Sequence, residues 1–464
     1  MAGEAGQWAA IAARRPTGFV ALPPPLCSVR HGTRPRLGRC GCAARPPPLG
    51  RGRRARLAGT PVASTAAPAT DGTSDDGDGS RADNASAADA GTSAAAPASG
   101  GPANVDWGAL SFGWHPTPVH VVASHTRGGG WSPPTAVAGD PYIRLHVGAT
   151  ALQYGASCLE GLKARRRPDG AVVLFRPTAH ADRFAASAAR LAMPPVPTDV
   201  FLAAVKAAVV GNAAYVPPAG APAALYLRPL LLGTGPRIGL APADAYTLVV
   251  LATPVGEGGG GAGRLRTAGT TVVDGVTAVI TDAYDRSAAG GLGGVKAGAN
   301  YAADLLPATA AKAAGFPLNL YLDAATHTAV EEFGAANFVA VRRGRSVAEP
   351  DTYVTPESPS ILRSITNDAL AVLAAAAGMV VERRRVAVAE IEALDEVAAV
   401  GTGAGVTPVD RLVWGDRVLT VGSAAGRGGG GSGGGRLVAL ASQLAAIQQG
   451  EAPDVHGWCE VVDM

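Results

Sequence analysis

At 464 residues with 47% hydrophobic content, the chain is long enough for a sizeable core and for more than one domain. Its formal charge of +3 hides an asymmetry: the first 58 residues hold eleven arginines and one acid, Glu4, so they carry +10 and the remainder −7. A mildly acidic remainder excludes a basic nucleic-acid or anionic-membrane surface, no apolar run is long enough to span a membrane, and the two cysteines beyond those 58 residues, Cys158 and Cys459, exclude a disulfide scaffold or a cysteine-rich metal site.

Residues 1–58, rich in Ala, Pro and Arg and free of lysine, have the composition of an organelle transit peptide. We place that segment at 1–70; its composition favours the chloroplast, with the mitochondrion as the alternative. Residues 71–103 contain almost no large apolar side chain and read as a disordered linker.

From Trp107 onward the pattern is mixed α and β, an α/β (α+β mixed) fold class. Tyr142–Val147 reads as a strand, and 162–176 as two short strands around the Pro168-Asp169-Gly170 turn. Helical patterns follow at 180–192 and, opened by Thr198 as N-cap, at 199–214. Residues 225–233 and 247–255 look like buried strands, closing an N-terminal domain at 104–255. The glycine-rich stretch 256–265 is an interdomain connector, and 266–464 forms the larger second domain. There, strands are expected at 270–281, 318–323 and 336–342, with helices near 301–314 and from Ser360 to Ala377. The glycine tract 426–436 reads as a surface-loop insertion with one helix and one strand after it.

Only four of the 40 basic residues are lysine: Lys163, Lys206, Lys296 and Lys312. A bias this strong toward arginine should have replaced a lysine that serves only as a charge. An arginine is never deprotonated near neutral pH, whereas a lysine amine can be, and can then act as a nucleophile. Lys206 and Lys312 sit in alanine-rich helical sequence where lysine is ordinarily solvated. Lys296, in GGLGGVKAGANY (290–301), is set among glycines that let backbone approach a ligand closely.

GGVKAGANY, EEFGAANF, LQYGASCLEGLKA, ADRFAASA, LYLRPLLLGTGP, SPSILRSI and VGTGAGVTPV resemble the motifs of the class IV aminotransferases, and most of all the branched-chain amino-acid aminotransferases. The resemblance covers about residues 104–464. It implies a two-domain fold-type IV enzyme of smaller N-terminal and larger C-terminal domains, with pyridoxal 5′-phosphate between them, assembled as a homodimer.

Position by position, the resemblance makes Lys296 the Schiff-base lysine and Tyr301 the phenol beside the cofactor O3′. Glu332 pairs with the pyridine nitrogen, and a carboxylate there keeps the ring protonated as an electron sink. Arg183, Thr402 and the backbone amides of Ile361 and Leu362, at a helix opening at Ser360, would take the phosphate. Phe112, Tyr154, Leu159, Tyr226 and Tyr301 would wall the substrate pocket. Arg228 would meet the side-chain carboxylate of glutamate, and the backbone at Ala335, Ala336 and Gly403 the α-carboxylate.

Leu159 stands where these enzymes commonly carry phenylalanine, which would widen the pocket, and Ala335 where a hydroxyl residue is common. Ala404-Gly405-Val406-Thr407 replaces a redox Cys-x-x-Cys found in animal members. The implied reaction is ping-pong transamination between leucine, isoleucine or valine and 2-oxoglutarate. A D-amino-acid aminotransferase or aminodeoxychorismate lyase shares the lysine and glutamate, but Tyr226-x-Arg228 favours the branched-chain reading. A phosphate-loop reading fails because Val295 and Ala297 flank Lys296 where Gly and Ser/Thr are needed.

Overall fold

The computed structural model describes residues 105–256, 275–346, 348–403, 405–422 and 435–464. The leader (1–70), the linker (71–103), nearly all of the connector and most of the tract at 426–436 lie outside the described residues.

Apolar runs in the first half build a sheet from β1 (Val119–Thr126), β2 (Gly130–Trp131), β3 (Thr135–Ala138), β4 (Ser157–Leu159), β5 (Leu162–Arg166), β6 (Val172–Phe175), β7 (Ala223–Gly233) and β8 (Ala245–Gly256). The long β7–β8 pair is its spine, in antiparallel register from Ala223 opposite Gly256 to Gly233 opposite Tyr246. Along β7, Leu225 and Leu227 join the hydrophobic core, while Tyr226 and Arg228 point to the opposite face, as the two-residue period of a strand requires. Helices α1 (Thr150–Tyr154), α2 (Pro177–Arg190) and α3 (Thr198–Gly211) pack on this sheet, α1 against β7, α2 against β4 and α3 chiefly against β1 and β8. Phe184 of α2 and Phe201 of α3, fully buried with ring centroids 5.5 Å apart, anchor both helices on the sheet. Burying each such side chain contributes about 1.5–3 kcal/mol.

The second half forms a ten-stranded mixed sheet from β9 (Val276–Thr281), β10 (Asn319–Leu322), β11 (Ala329–Phe333), β12 (Ala336–Arg342), β13 (Thr352–Pro356), β14 (Val380–Arg384), β15 (Val386–Ala387), β16 (Glu396–Gly401), β17 (Gly405–Trp414) and β18 (Arg417–Thr420). Strands such as β11 and β13 are buried along their whole length, because one apolar cluster lies on each face of the sheet. Helices α4 (Gly298–Ala313), α5 (Ile365–Ala376) and α6 (Arg436–Gln449) complete this half, α5 and α6 covering one of the faces. The last strand, β19 (Cys459–Val462), returns to pair with β6 at the edge of the first sheet. Both sheets belong to one compact unit.

Three expectations need correction. Tyr142–Val147 forms no strand: Tyr142 and Val147 are largely exposed, and the Tyr142 amide donates to the Asp140 side chain rather than to a neighbouring strand. Thr198 lies inside α3; Pro197 is its cap residue, and the Pro197 carbonyl accepts from the Phe201 amide. Helix α5 opens at Ser364, whose hydroxyl accepts from the Asn367 amide, and not at Ser360. Residues 358–362 instead form a turn bonded to the acidic end of β11, which takes them out of helical register.

Candidate active site

The loop before α4 is pinned from both sides. The Lys296 amide donates to Ser187 Oγ of α2 at 3.0 Å, and the Lys296 carbonyl accepts from the Leu159 amide of β4 at 3.0 Å. Asn300, in the first turn of α4, donates its side-chain amide to the carbonyls of Leu292 and Val295. A side chain at Gly293 would run into the Ser360 carbonyl, so this glycine is what allows the loop to lie against the 358–362 turn. With its backbone held, Lys296 donates from Nζ to the Tyr301 hydroxyl at 2.7 Å.

Opposite this amine lies the end of β11. The hairpin through Gly334 and Ala335 places Glu332 across from Asn337 of β12, which donates to Glu332 Oε2 at 2.9 Å. The Leu362 amide donates to Oε1 at 2.9 Å, and the Arg286 guanidinium meets the same oxygen. Burial pushes the Glu332 carboxyl up to about 7, against the opposing pull of Arg286. Its neighbour Glu331 is also raised by burial, with Ser358 bonded to one of its oxygens.

At the first-sheet side, Arg183 of α2 binds the buried Glu160 through Nε at 2.8 Å and through Nη2, and donates from Nη1 to the Arg363 carbonyl at 3.0 Å. Burial alone would raise the Glu160 carboxyl, but Arg183 and His180 outweigh it and hold it well below the usual carboxylate range. On β7, Arg228 donates from Nε and Nη2 to the Tyr226 hydroxyl at 3.2 and 3.1 Å. Phe112 packs edge-on against the Tyr226 ring, centroids 5.1 Å apart. A side chain at Gly161 would strike the Tyr226 hydroxyl, so Tyr226 keeps this place only above a glycine.

These groups surround one cleft of about 420 Å³. Lys296, Tyr301, Glu332, Arg183, Leu362, Thr402, Phe112, Leu159, Tyr226, Arg228, Ala335, Ala336 and Gly403 all line it. Two expected residues do not. Tyr154 stands at the surface, its hydroxyl donating to the Ile238 carbonyl, and Ile361 lines a separate cavity beside Arg363 and Arg383. The expected pair of free amides is also absent: Ile361 N–H is bonded to the Ser358 carbonyl and Leu362 N–H to Glu332.

Sequence reasoning missed Arg286, Asn337 and Glu160. Two adjacent glutamates inside an apolar run were the available signal, because buried acids require donors and a cation from somewhere else in the chain. Among the described residues, no helix is long and apolar enough to cross a membrane.

The sequence profile of the amino-transferase class IV family matches residues 157–412. Transaminase AMT5 of Alternaria alternata is 39% identical to this chain, over 77% of it and 92% of its own length. The branched-chain-amino-acid aminotransferase of Helicobacter pylori is 36% identical over 76% of this chain and 97% of its own. Among solved structures, a T.th. branched-chain amino acid aminotransferase with pyridoxamine 5′-phosphate is similar with a TM-score of 0.59 at 25% identity, covering 75% of this chain and 100% of that one. The Escherichia coli branched-chain amino acid aminotransferase, at 22% identity and a TM-score of 0.56 over 75% of this chain and 100% of its own, shares the fold.

Proposed function

The chain belongs to the class IV aminotransferase family, and from that premise we propose that it is a branched-chain amino-acid aminotransferase that moves the amino group reversibly between leucine, isoleucine or valine and 2-oxoglutarate. One observation carries the reading: an amine, a phenol, a buried carboxylate and a buried guanidinium converge on one cleft whose wall is Phe112, Tyr226 and Arg228.

The donor set fits pyridoxal 5′-phosphate. Lys296 and Tyr301, bonded to each other at 2.7 Å, suit its aldehyde carbon and phenolic oxygen; Glu332 suits the ring nitrogen; Arg183 and Thr402 suit the phosphate. The buried Arg286 Nε, which has no hydrogen-bond partner among the described residues, adds positive charge to the cleft lining. Ile361 and Leu362 are left out of the phosphate set because their amides are already used. When bound, the cofactor supplies an electron-accepting ring that stabilises the negative charge left when the substrate Cα–H bond breaks.

The chain's own residues do the rest. Lys296 Nζ carries the proton away from the amino-acid Cα and returns it in the second half-reaction, with Tyr301 orienting the amine. Glu332, oriented by Asn337, Leu362 and Arg286, holds a proton on the ring nitrogen. Phe112, Leu159 and Tyr226 exclude water around an aliphatic side chain, and Arg228 accommodates the second carboxylate of glutamate and 2-oxoglutarate. The amides around Ala335, Ala336 and Gly403 suit the α-carboxylate.

Exposed apolar side chains at Tyr142, Val147, Leu152, Tyr154, Ile238 and Leu240 support a homodimer in which a second copy covers some of them. The arginine-rich leader supports delivery to the chloroplast, with the mitochondrion as the alternative. Glutamate production from 2-oxoglutarate, measured separately with leucine, isoleucine, valine, D-alanine and aromatic amino acids, tests the substrate reading. Turnover of another amino acid with none of the three branched ones would overturn it.

A further inference from the structure

Glu160 sits between β4 and β5 with no exposed surface, and it is not part of the cleft lining. Its carboxylate is fully engaged. Oε2 accepts from Arg183 Nε at 2.8 Å; Oε1 accepts from Arg183 Nη2 and from the Gly161 amide at 2.7 Å, and faces His180 Nδ1 at 3.1 Å. His180 is itself buried, and burial lowers its affinity for a proton; because an ionised carboxylate can only accept, Nδ1 is the donor toward Glu160. Removing a carboxylate and a guanidinium from water costs several kcal/mol per ion, which makes such a pair a poor source of stability and points to a role in geometry.

The hydrogen count shows what that geometry is. A guanidinium has five N–H bonds. Glu160 takes the one on Nε and one on Nη2, and the Arg363 carbonyl takes one on Nη1. Two remain, one on each terminal nitrogen, as charge-assisted donors for phosphate oxygens. The helix that carries Arg183 is also tied to the lysine loop, because Ser187 Oγ donates to the Arg183 carbonyl and accepts from the Lys296 amide.

We propose that Glu160, backed by His180, is a positioning residue for cofactor phosphate: it locks the Arg183 guanidinium so that its two remaining N–H bonds face the cleft. This rests on the reading of Arg183 as the phosphate ligand. Glu160 touches neither cofactor nor substrate; it acts through Arg183 alone.

The test compares pyridoxal 5′-phosphate with pyridoxal, which lacks the phosphate, by equilibrium titration of cofactor-depleted protein followed by absorbance. Glu160→Gln is expected to weaken pyridoxal 5′-phosphate by about 10- to 100-fold and pyridoxal by less than about threefold, in line with the loss of an orienting partner behind a ligand. Glu160→Asp keeps the charge but is one methylene too short to hold both Arg183 nitrogens, and the same selective loss is expected from it should the glutamine variant fold poorly. In an Arg183→Ala background, Glu160→Gln should add almost nothing, since the two act as a unit. Equal losses for the two ligands, or unchanged or tighter binding of pyridoxal 5′-phosphate, would overturn the positioning role. If Arg183→Ala alone leaves the preference for the phosphorylated form intact, the assignment of Arg183 falls, and the inference with it.

Discussion

Arg286 and Glu332 form a buried ion pair in the lining of the cleft: the guanidinium, 7% exposed, meets Glu332 Oε1 and also donates to the carbonyls of Gly293 and Ser360 at 2.9 and 3.0 Å. One side chain therefore joins the lysine loop, the acidic strand end and the 358–362 turn. Arg286→Ala leaves Glu331 and Glu332 buried without that cation, and breaking a buried pair in this way costs about 3–5 kcal/mol. Urea unfolding of the variant above about pH 7, where Glu332 is ionised beside Arg286, is expected to show a loss of that size, with Arg286→Lys recovering part of it. A loss below about 1 kcal/mol would mean that the pair contributes little to the fold.

The pH dependence of stability follows from Glu332. Its carboxyl, ordinarily near 4.5, is pushed up to about 7 by burial, so the folded protein holds this proton more tightly than the unfolded chain. The contribution is fully present below about 4.5 and is lost as pH rises to about 7, a change on the order of 3 kcal/mol. Cofactor-depleted protein should lose stability across that window more steeply than the Glu332→Gln variant, which has no proton to release. Parallel melting-temperature curves for the two would show that Glu332 titrates normally. With cofactor bound, Glu332→Gln is expected to lose most of kcat while still retaining the cofactor.

Much of this arrangement is legible in the sequence because it is local. The runs that became β7 and β8 are apolar enough to demand burial, and the Pro168–Gly170 turn joins β5 to β6 as its residues require. Lys296 stands out by composition, and the ordered motifs bring thirteen of the fifteen expected residues to one cleft. The misses are tertiary. Nothing in the sequence near Arg286 says that it will meet Glu332, 46 positions away, and nothing near Glu160 says that its carboxylate will hold Arg183. Tyr142–Val147 has a strand-like composition but pairs with no strand among the described residues, and Ser360 resembles a helix start until the turn it occupies is drawn under Glu331 and Glu332.

Lys296→Ala is expected to abolish transamination and the Schiff-base absorbance band of the cofactor-loaded protein while leaving the melting temperature of the cofactor-free form nearly unchanged. The residue lines a cleft rather than a core, and its backbone contacts through Ser187 and Leu159 survive the substitution. Lys296→Arg should fail equally, because a guanidinium is not available as a neutral amine. Activity above a few per cent of wild type in either variant would remove Lys296 from the chemistry.

Deleting residues 1–103 is expected to leave activity and melting temperature almost unchanged, because the segment has too few apolar side chains to form a core. A reporter fused to residues 1–70 is expected to enter an organelle, the chloroplast in a plant or algal cell. Diffuse cytosolic fluorescence would contradict the targeting reading.

Arg228 is expected to separate the two half-reactions. Its Nε and Nη2 rest on the Tyr226 hydroxyl at 3.2 and 3.1 Å, and its guanidinium carbon lies 5.2 Å from the centre of the Tyr226 ring. That support leaves the charge at the cleft wall, where the second carboxylate of 2-oxoglutarate or glutamate would meet it. Leucine has no second charge to place there. A charge-assisted bidentate pair in a partly dry pocket is worth about 2–4 kcal/mol, so Arg228→Ala should lower kcat/KM for 2-oxoglutarate by about 30- to 1000-fold. The loss for leucine should be less than about tenfold, since only packing against Tyr226 changes. Single-turnover spectra recorded with each substrate alone measure the two losses separately. Equal losses would mean that Arg228 supports the Tyr226 wall in general, and the case for a pocket shared by branched-chain and dicarboxylic substrates would fall.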